Sequence, residues 1–200
     1  MLRHVQARVE IKVMALQQPH TELNVAKAHF GYEVRRRSPW ILLSVAAGIV
    51  MIWIGQAYEE ELSERIELVF FVPMIVYMSD SIGTETLALF VRELALRRMR
   101  TRRIFFKELL VGLCLGLVSG LPMGVFSYFW FKDFGLSVTV VTAMVVNGMI
   151  AVLAGMLIPI AFHKMGRDPA VGTDEITTAI SDNLSMLVYL IVATFILFGT

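Results

Sequence analysis

Apolar residues along this chain fall into five long runs separated by short polar segments. The runs cover about Trp40 to Ala57, Ile66 to Val91, Leu109 to Phe131, Val138 to Phe162 and Ile176 to Phe198. Each approaches the roughly 20 residues that a helix needs to cross a hydrocarbon core. Backbone polar groups find no water there, so the element expected for each run is an α-helix, which satisfies its own. Aromatic residues flank the runs, Trp40 and Tyr58 around the first and Tyr128, Trp130 and Phe131 closing the third, as at membrane–water interfaces. The predicted fold is therefore all-α, a polytopic membrane protein with five transmembrane helices. The first run begins only at Trp40 with no short basic leader before it, so a cleavable signal peptide is not expected.

Residues 1–38 read as an amphipathic tail and residues 39–200 as the transmembrane domain. Leu2, Val5, Val9, Val13 and Leu16 share one helical face up to Pro19, and Leu23, Ala26, Phe30 and Val34 form a second stripe. A pair of helices lying on the membrane surface is the expectation, with a cytoplasmic gate or plug as the sharper alternative. No internal repeat is visible.

Composition agrees with a membrane protein. Hydrophobic residues make up 56% of the chain and charged residues 18%, against roughly 25% charged in a soluble domain. The mean hydropathy is +0.68. The formal net charge of +1 gives no electrostatic footprint for nucleic acid, which is not an expected partner. The single cysteine, Cys114, excludes an intramolecular disulfide and leaves no Cys pair for a structural zinc site; it reads as a packing residue.

The location of the charges carries more than their number. Seven Lys/Arg precede the first run, ending in Arg35-Arg36-Arg37, seven lie between the second and third runs, and Lys164 and Arg167 follow the fourth. Only Arg65 and Lys132 fall on the opposite side. The positive-inside rule then puts the N-terminus in the cytoplasm and the C-terminus outside. The first external loop is acidic, with Glu59, Glu60, Glu61, Glu64 and Glu67. A solvated loop is the expectation, and a weak cation-concentrating mouth the alternative.

Three acids lie within spans: Asp80 and Glu85 in the second, Asp182 in the fifth. No Lys or Arg lies at comparable depth. Ionisable side chains in a membrane are costly and face a polar cavity, so uncompensated carboxylates call for protons or a cation. In the fifth span Glu175, Thr178, Asp182 and Ser185 recur at spacings of 3, 4 and 3 and form one polar stripe bordered by Ser181 and Asn183. These are hard oxygen donors suited to Mg²⁺, Ca²⁺ or Mn²⁺. Asp80 and Glu85 lie about 140° apart on an ideal helix. Both can face one cavity only if the helix is broken or over-wound between them, and Ser79-Asp80-Ser81-Ile82-Gly83-Thr84 reads as the place for such a break. Gly112, Gly116, Gly120 and Gly124 form a ridge in the third span, for helix packing in the bundle core or at a subunit interface. Asn147 reads as an interhelical hydrogen bond and His163 as interfacial.

Taken together these residues resemble the transmembrane domain of the MgtE-type magnesium transporters, from about Arg36 to Phe198. The resemblance is carried by Pro39-Trp40, Phe71-Val72-Pro73-Met74, Ile82-Gly83-Thr84-Glu85 where the family typically has Asn-x-Gly-Thr-Gln, and Arg92-Glu93-Leu94-Ala95-Leu96. Lys107-Glu108 with Gly112, Gly166-Arg167-Asp168-Pro169-Ala170, and Ser181-Asp182 followed by Tyr189 continue it in order. It implies a homodimer with five helices per subunit and one ion path near the two-fold axis, with the pore aspartate at Asp182. It implies a largely hydrated Mg²⁺ held by carboxylates and by backbone carbonyls near Thr178, with Gly83, Thr84 and Glu85 beside the path. The sequence departs from the family pattern at Ser81 for Asn, Glu85 for Gln, Glu175 for a common Pro and Ser185 for a common Gly. The family's cytoplasmic N-terminal and CBS-pair domains have no counterpart in these residues, so gating through them is not carried over.

The expected metal-contacting residues are thus Asp182, Glu85, Asp80, Thr178, Thr84, Ser181 and Glu175. The expected function is channel-like passage of a divalent cation, Mg²⁺ first and Mn²⁺ or Ca²⁺ as substitutes, by a homodimer embedded among lipids in a prokaryotic cell (inner) membrane. The alternatives are a proton- or sodium-coupled exchanger, an intramembrane aspartyl protease using Asp80 and Asp182, and a purely structural membrane subunit. The first alternative would use Asp80 or Glu85 as proton carrier. The protease lacks its Gly-x-Gly-Asp signature, since Met78 and Ser79 precede Asp80.

Overall fold

A computed structural model describes residues 30–95, 101–166 and 172–199. The chain divides into two compact units, Met1–Pro39 and Trp40–Thr200. Of the first, residues 30–39 are described: they are helical, with Ser38 Oγ donating to the Val34 carbonyl at 2.6 Å. Leu2 to Leu16, Leu23 and Ala26 of the amphipathic stripes lie outside the described residues, whereas Phe30 and Val34 are helical and exposed.

Every described element is helical. Helix α1 spans Phe30–Ala57 and α2 is a single short segment, Glu59–Glu64. They are followed by α3 (Glu67–Ala95), α4 (Thr101–Phe131), α5 (Phe134–Lys164) and α6 (Thr173–Ala193), and α6 ends in one π-helical turn, Thr194–Phe198. The five predicted runs all lie on helices long and apolar enough to cross a membrane. The helices outrun the apolar runs at most ends, because polar and aromatic residues continue the backbone ladder into the interface.

Helix α5 is the centre of the second unit. It buries Leu136, Val140, Ala143, Met144, Ala151, Val152, Met156 and Ile160. On one side it receives the glycine ridge of α4. A Cβ on Gly116 would lie 2.6 Å from the Val145 Cα, and Ser137 Oγ donates to the Gly124 carbonyl at 2.7 Å. The ridge is thus an intrachain contact in the bundle core, which settles the choice that the sequence left open. On the other side α3 comes equally close: a Cβ on Gly155 would collide with the Gly83 carbonyl oxygen and lie 3.0 Å from the Leu87 nitrogen. Lipid supplies no hydrophobic drive for helix association, so small residues that admit close backbone contact do this work.

Two apolar clusters bracket the interior. One joins Leu68, Phe71 and Ile75 to Leu136, Val140, Met144, Met186 and Leu190. The other joins Phe90, Met156 and Ile160. Between them α3 carries its polar stretch. Ahead of α5, Asp133 caps the helix by accepting from the Leu136 nitrogen at 3.0 Å, and it pairs with Arg65 just before α3. The capping bond and Arg65 hold the Asp133 carboxyl below its ordinary value, against a smaller opposing effect of burial.

Candidate functional site

Helices α3 and α6 run antiparallel, and three side-chain bonds fix their register. Tyr189 OH donates to the Leu68 carbonyl at 3.0 Å, Ser185 Oγ and Ser79 Oγ lie 2.6 Å apart, and Thr178 Oγ1 donates to Asp80 Oδ1 at 2.8 Å. The polar stripe predicted on α6 is therefore its α3-facing surface, at least from Thr178 to Ser185. Asp182 belongs to the same face: the Asp80 carboxylate acts on it electrostatically. One Asp182 oxygen, Oδ1, is buried with no hydrogen-bond partner.

Hydroxyl protons show how this interface is wired. Ser185 Oγ lies 2.6 Å from both the Ser181 carbonyl and Ser79 Oγ. A hydroxyl has one proton. When Ser185 gives its proton to the carbonyl, Ser79 donates to Ser185 in turn. Asn147 Nδ2 on α5 donates to the Ser185 carbonyl at 3.1 Å, the interhelical bond expected of this residue. Its Oδ1 and Ser181 Oγ are buried and unpartnered. Thr84 Oγ1 turns back to the Asp80 carbonyl at 2.9 Å, so Thr84 is attached to the Asp80 turn of its own helix. Ser181 borders Gly83, whose missing Cβ would stand 3.6 Å from Ser181 Oγ.

The expected break in the second span is absent. Helix α3 is continuous from Glu67 to Ala95, because the hydroxyls of Thr84 and Thr86 bond back to carbonyls of their own helix and that of Ser79 bonds across to α6. Asp80 and Glu85 consequently point in different directions, and Glu85 is exposed on the chain. Glu175 is half-buried in the first turn of α6. Its neighbour Asp174, absent from the expected set, is exposed in the same turn and lies within electrostatic range of Asp80. The signal was present in the spacing: Asp174, Thr178 and Asp182 are each four apart. Among the described residues no three His, Cys, Asp or Glu side chains come together closely enough to hold a metal ion.

The sequence profile of MgtE, described as a divalent cation transporter, matches residues 72–192, from α3 through α6. The chain belongs to the MgtE family. Its relatives include the magnesium transporter MgtE of Bacillus subtilis (strain 168), 30% identical over 162 residues. The magnesium transporters MgtE of Enterococcus faecalis and Thermus thermophilus are each 32% identical, over 162 and 165 residues. Each alignment covers 80% of this chain but 36% of the relative, so the chain spans about a third of the length of these MgtE proteins. A family of transporters leaves no role for the aspartyl protease chemistry considered for Asp80 and Asp182.

Thr178→Val keeps the side-chain shape and removes the donor to Asp80. A polar group left unpartnered in a bundle costs about 1–3 kcal/mol. At about 1 kcal/mol, the melting temperature in detergent is expected to fall by about 2–4 °C. An unchanged melting temperature would show that the Thr178 bond to Asp80 does not help hold α6 to α3.

Proposed function

We propose that this chain is a pore-forming unit that passes a divalent cation, Mg²⁺ in the first instance, across a prokaryotic cell (inner) membrane. Asp182 carries the proposal. One of its carboxylate oxygens is buried without a donor, Asp80 acts on it from the facing helix, and among the described residues neither acid has a cationic partner. Two carboxylates so placed supply hard oxygen donors and negative charge for a divalent cation. The curated relatives, all named magnesium transporters, support Mg²⁺ over Mn²⁺ and Ca²⁺.

The path is completed by a second copy about a two-fold axis, which duplicates every carboxylate. Asp80, Asp182, Thr178, Thr84 and Ser181 line it and Glu175 stands at its basic end, while Glu85, exposed and turned away from Asp80, stands outside this lining. The Arg-rich end faces the cytoplasm and the Glu59–Glu64 end faces outward. An inside-negative potential then contributes about 4.6 kcal/mol per 100 mV to entry of a 2+ ion, at roughly 2.3 per charge.

Mg²⁺ uptake into proteoliposomes, with a potential imposed and the pH gradient set or abolished, tests this reading. Voltage-driven uptake that ignores the pH gradient is expected. Uptake that requires the gradient would replace the channel with a proton-coupled exchanger.

A further inference from the structure

Within the second unit, α1 is held near its two ends. Toward α2, Met51 and Ile54 pack against the core, and Met186 Cε lies 3.3 Å from where a Cβ on Gly55 would stand. At the other end Trp40 meets Gly172. The stretch between is open: a Cβ on Gly48 would meet nothing within 4 Å, and Val45 is exposed.

Gly172 is the N-cap of α6 and has a left-handed backbone, φ 75° and ψ 2°. A Cβ there would collide with Cη2 and Cζ2 of Trp40 and lie 2.6 Å from Cζ3. Both the backbone conformation and the indole thus require glycine. The six-membered edge of the ring is seated on bare backbone where α6 begins. Trp40 is half-buried by this contact, while Ile41 and Leu42 beside it are 60% and 66% exposed. The cap supplies no side-chain hydrogen bond, and the bond from Ile176 nitrogen to the Gly172 carbonyl is long at 3.4 Å.

We infer that Trp40 is a positioning residue for the ion-facing side of α6, acting through Gly172; the inference rests on the reading of α6 as a pore helix. Asp174 lies two residues beyond the seat, and Thr178 and Asp182 follow at one-turn intervals. Where the indole holds the start of α6 therefore decides how those oxygens stand against Asp80. Trp40 touches no ion. It transmits the placement of α1 to the helix that does.

The test is Mg²⁺ flux in proteoliposomes for W40F, W40A, G172A, W40A/G172A and D182A. W40F, which keeps an aromatic ring but not the outer indole edge that meets Gly172, is expected to lose about twofold, and W40A about fivefold. Groups in contact give non-additive effects, so the double variant is expected to fall no lower than G172A alone. Effects that multiply would overturn the inference. Should W40A not fold, the W53F/W130F protein retains Trp40 as its single tryptophan, both replaced residues being exposed. Its emission is expected to shift on Mg²⁺ titration and to lose that shift with D182A; constant emission through saturation of flux would overturn the inference. Wild-type flux from D182A overturns the pore reading and this inference with it. Loss of flux in D182A together with multiplying Trp40 and Gly172 effects overturns this inference alone.

Discussion

Asp182→Ala is expected to reduce Mg²⁺ flux at least about a hundredfold while the protein still folds. At an effective dielectric constant near 20, a 2+ ion and a carboxylate roughly 5 Å apart attract by about 6–7 kcal/mol. Screening by the ion's retained water and by Asp80 leaves a fraction of this, and about 2.8 kcal/mol already corresponds to a hundredfold. Folding should not suffer, because the Asp182 Oδ1 oxygen accepts no hydrogen bond and its removal leaves no donor stranded. Deleting a buried charge without a counter-charge is more often stabilising. Flux and thermal stability should therefore move in opposite directions. A variant that conducts like the wild type removes Asp182 from the path, and one that fails to fold assigns it a structural role.

The second large effect is on stability. Gly155→Ala adds one methyl group facing the Gly83 carbonyl and the Leu87 nitrogen of α3. Both obstacles are backbone, so no rotamer change relieves them, and α3 and α5 must separate. Overpacking costs about 1–3 kcal/mol, occasionally more, and the upper end applies here. At roughly 2–4 °C per kcal/mol for a chain of this size, the melting temperature in detergent should fall by about 6–12 °C. An unchanged melting temperature would contradict the close approach of these helices. Because Gly83 also borders Ser181, the same substitution should disturb the candidate site.

The five spans were legible because apolar run length is a property of each segment alone. So was the polar stripe from Thr178 to Ser185 that meets α3, since helical spacing puts those residues on one face before any partner is known. What the sequence could not supply is how polar groups are satisfied. Ser79-Asp80-Ser81-Ile82-Gly83-Thr84 reads as a helix break by the standards of water, where such residues compete with the backbone for hydrogen bonds. Inside a bundle the hydroxyls bond to carbonyls of their own helix or across to α6, and the ladder survives. The continuous helix then dictates that Glu85 looks away from Asp80. The α4 ridge showed its function by spacing but not its partner, because α5 offers Gly148 and flat Val145 only once the helices are docked.

The Tyr189 bond to the Leu68 carbonyl gives α6 a fixed fulcrum near its far end. Asp174 lies fifteen positions away, about 22 Å along a helix that rises 1.5 Å per residue. Swinging α6 about that point by roughly 5° carries Asp174 by about 2 Å and Asp182 by half of that or less. An angular error at that bond is thus magnified along the helix, small at Asp182 and larger at Asp174. The Thr178 bond to Asp80 removes that freedom, so phenol and threonine together hold the helix at two separated points.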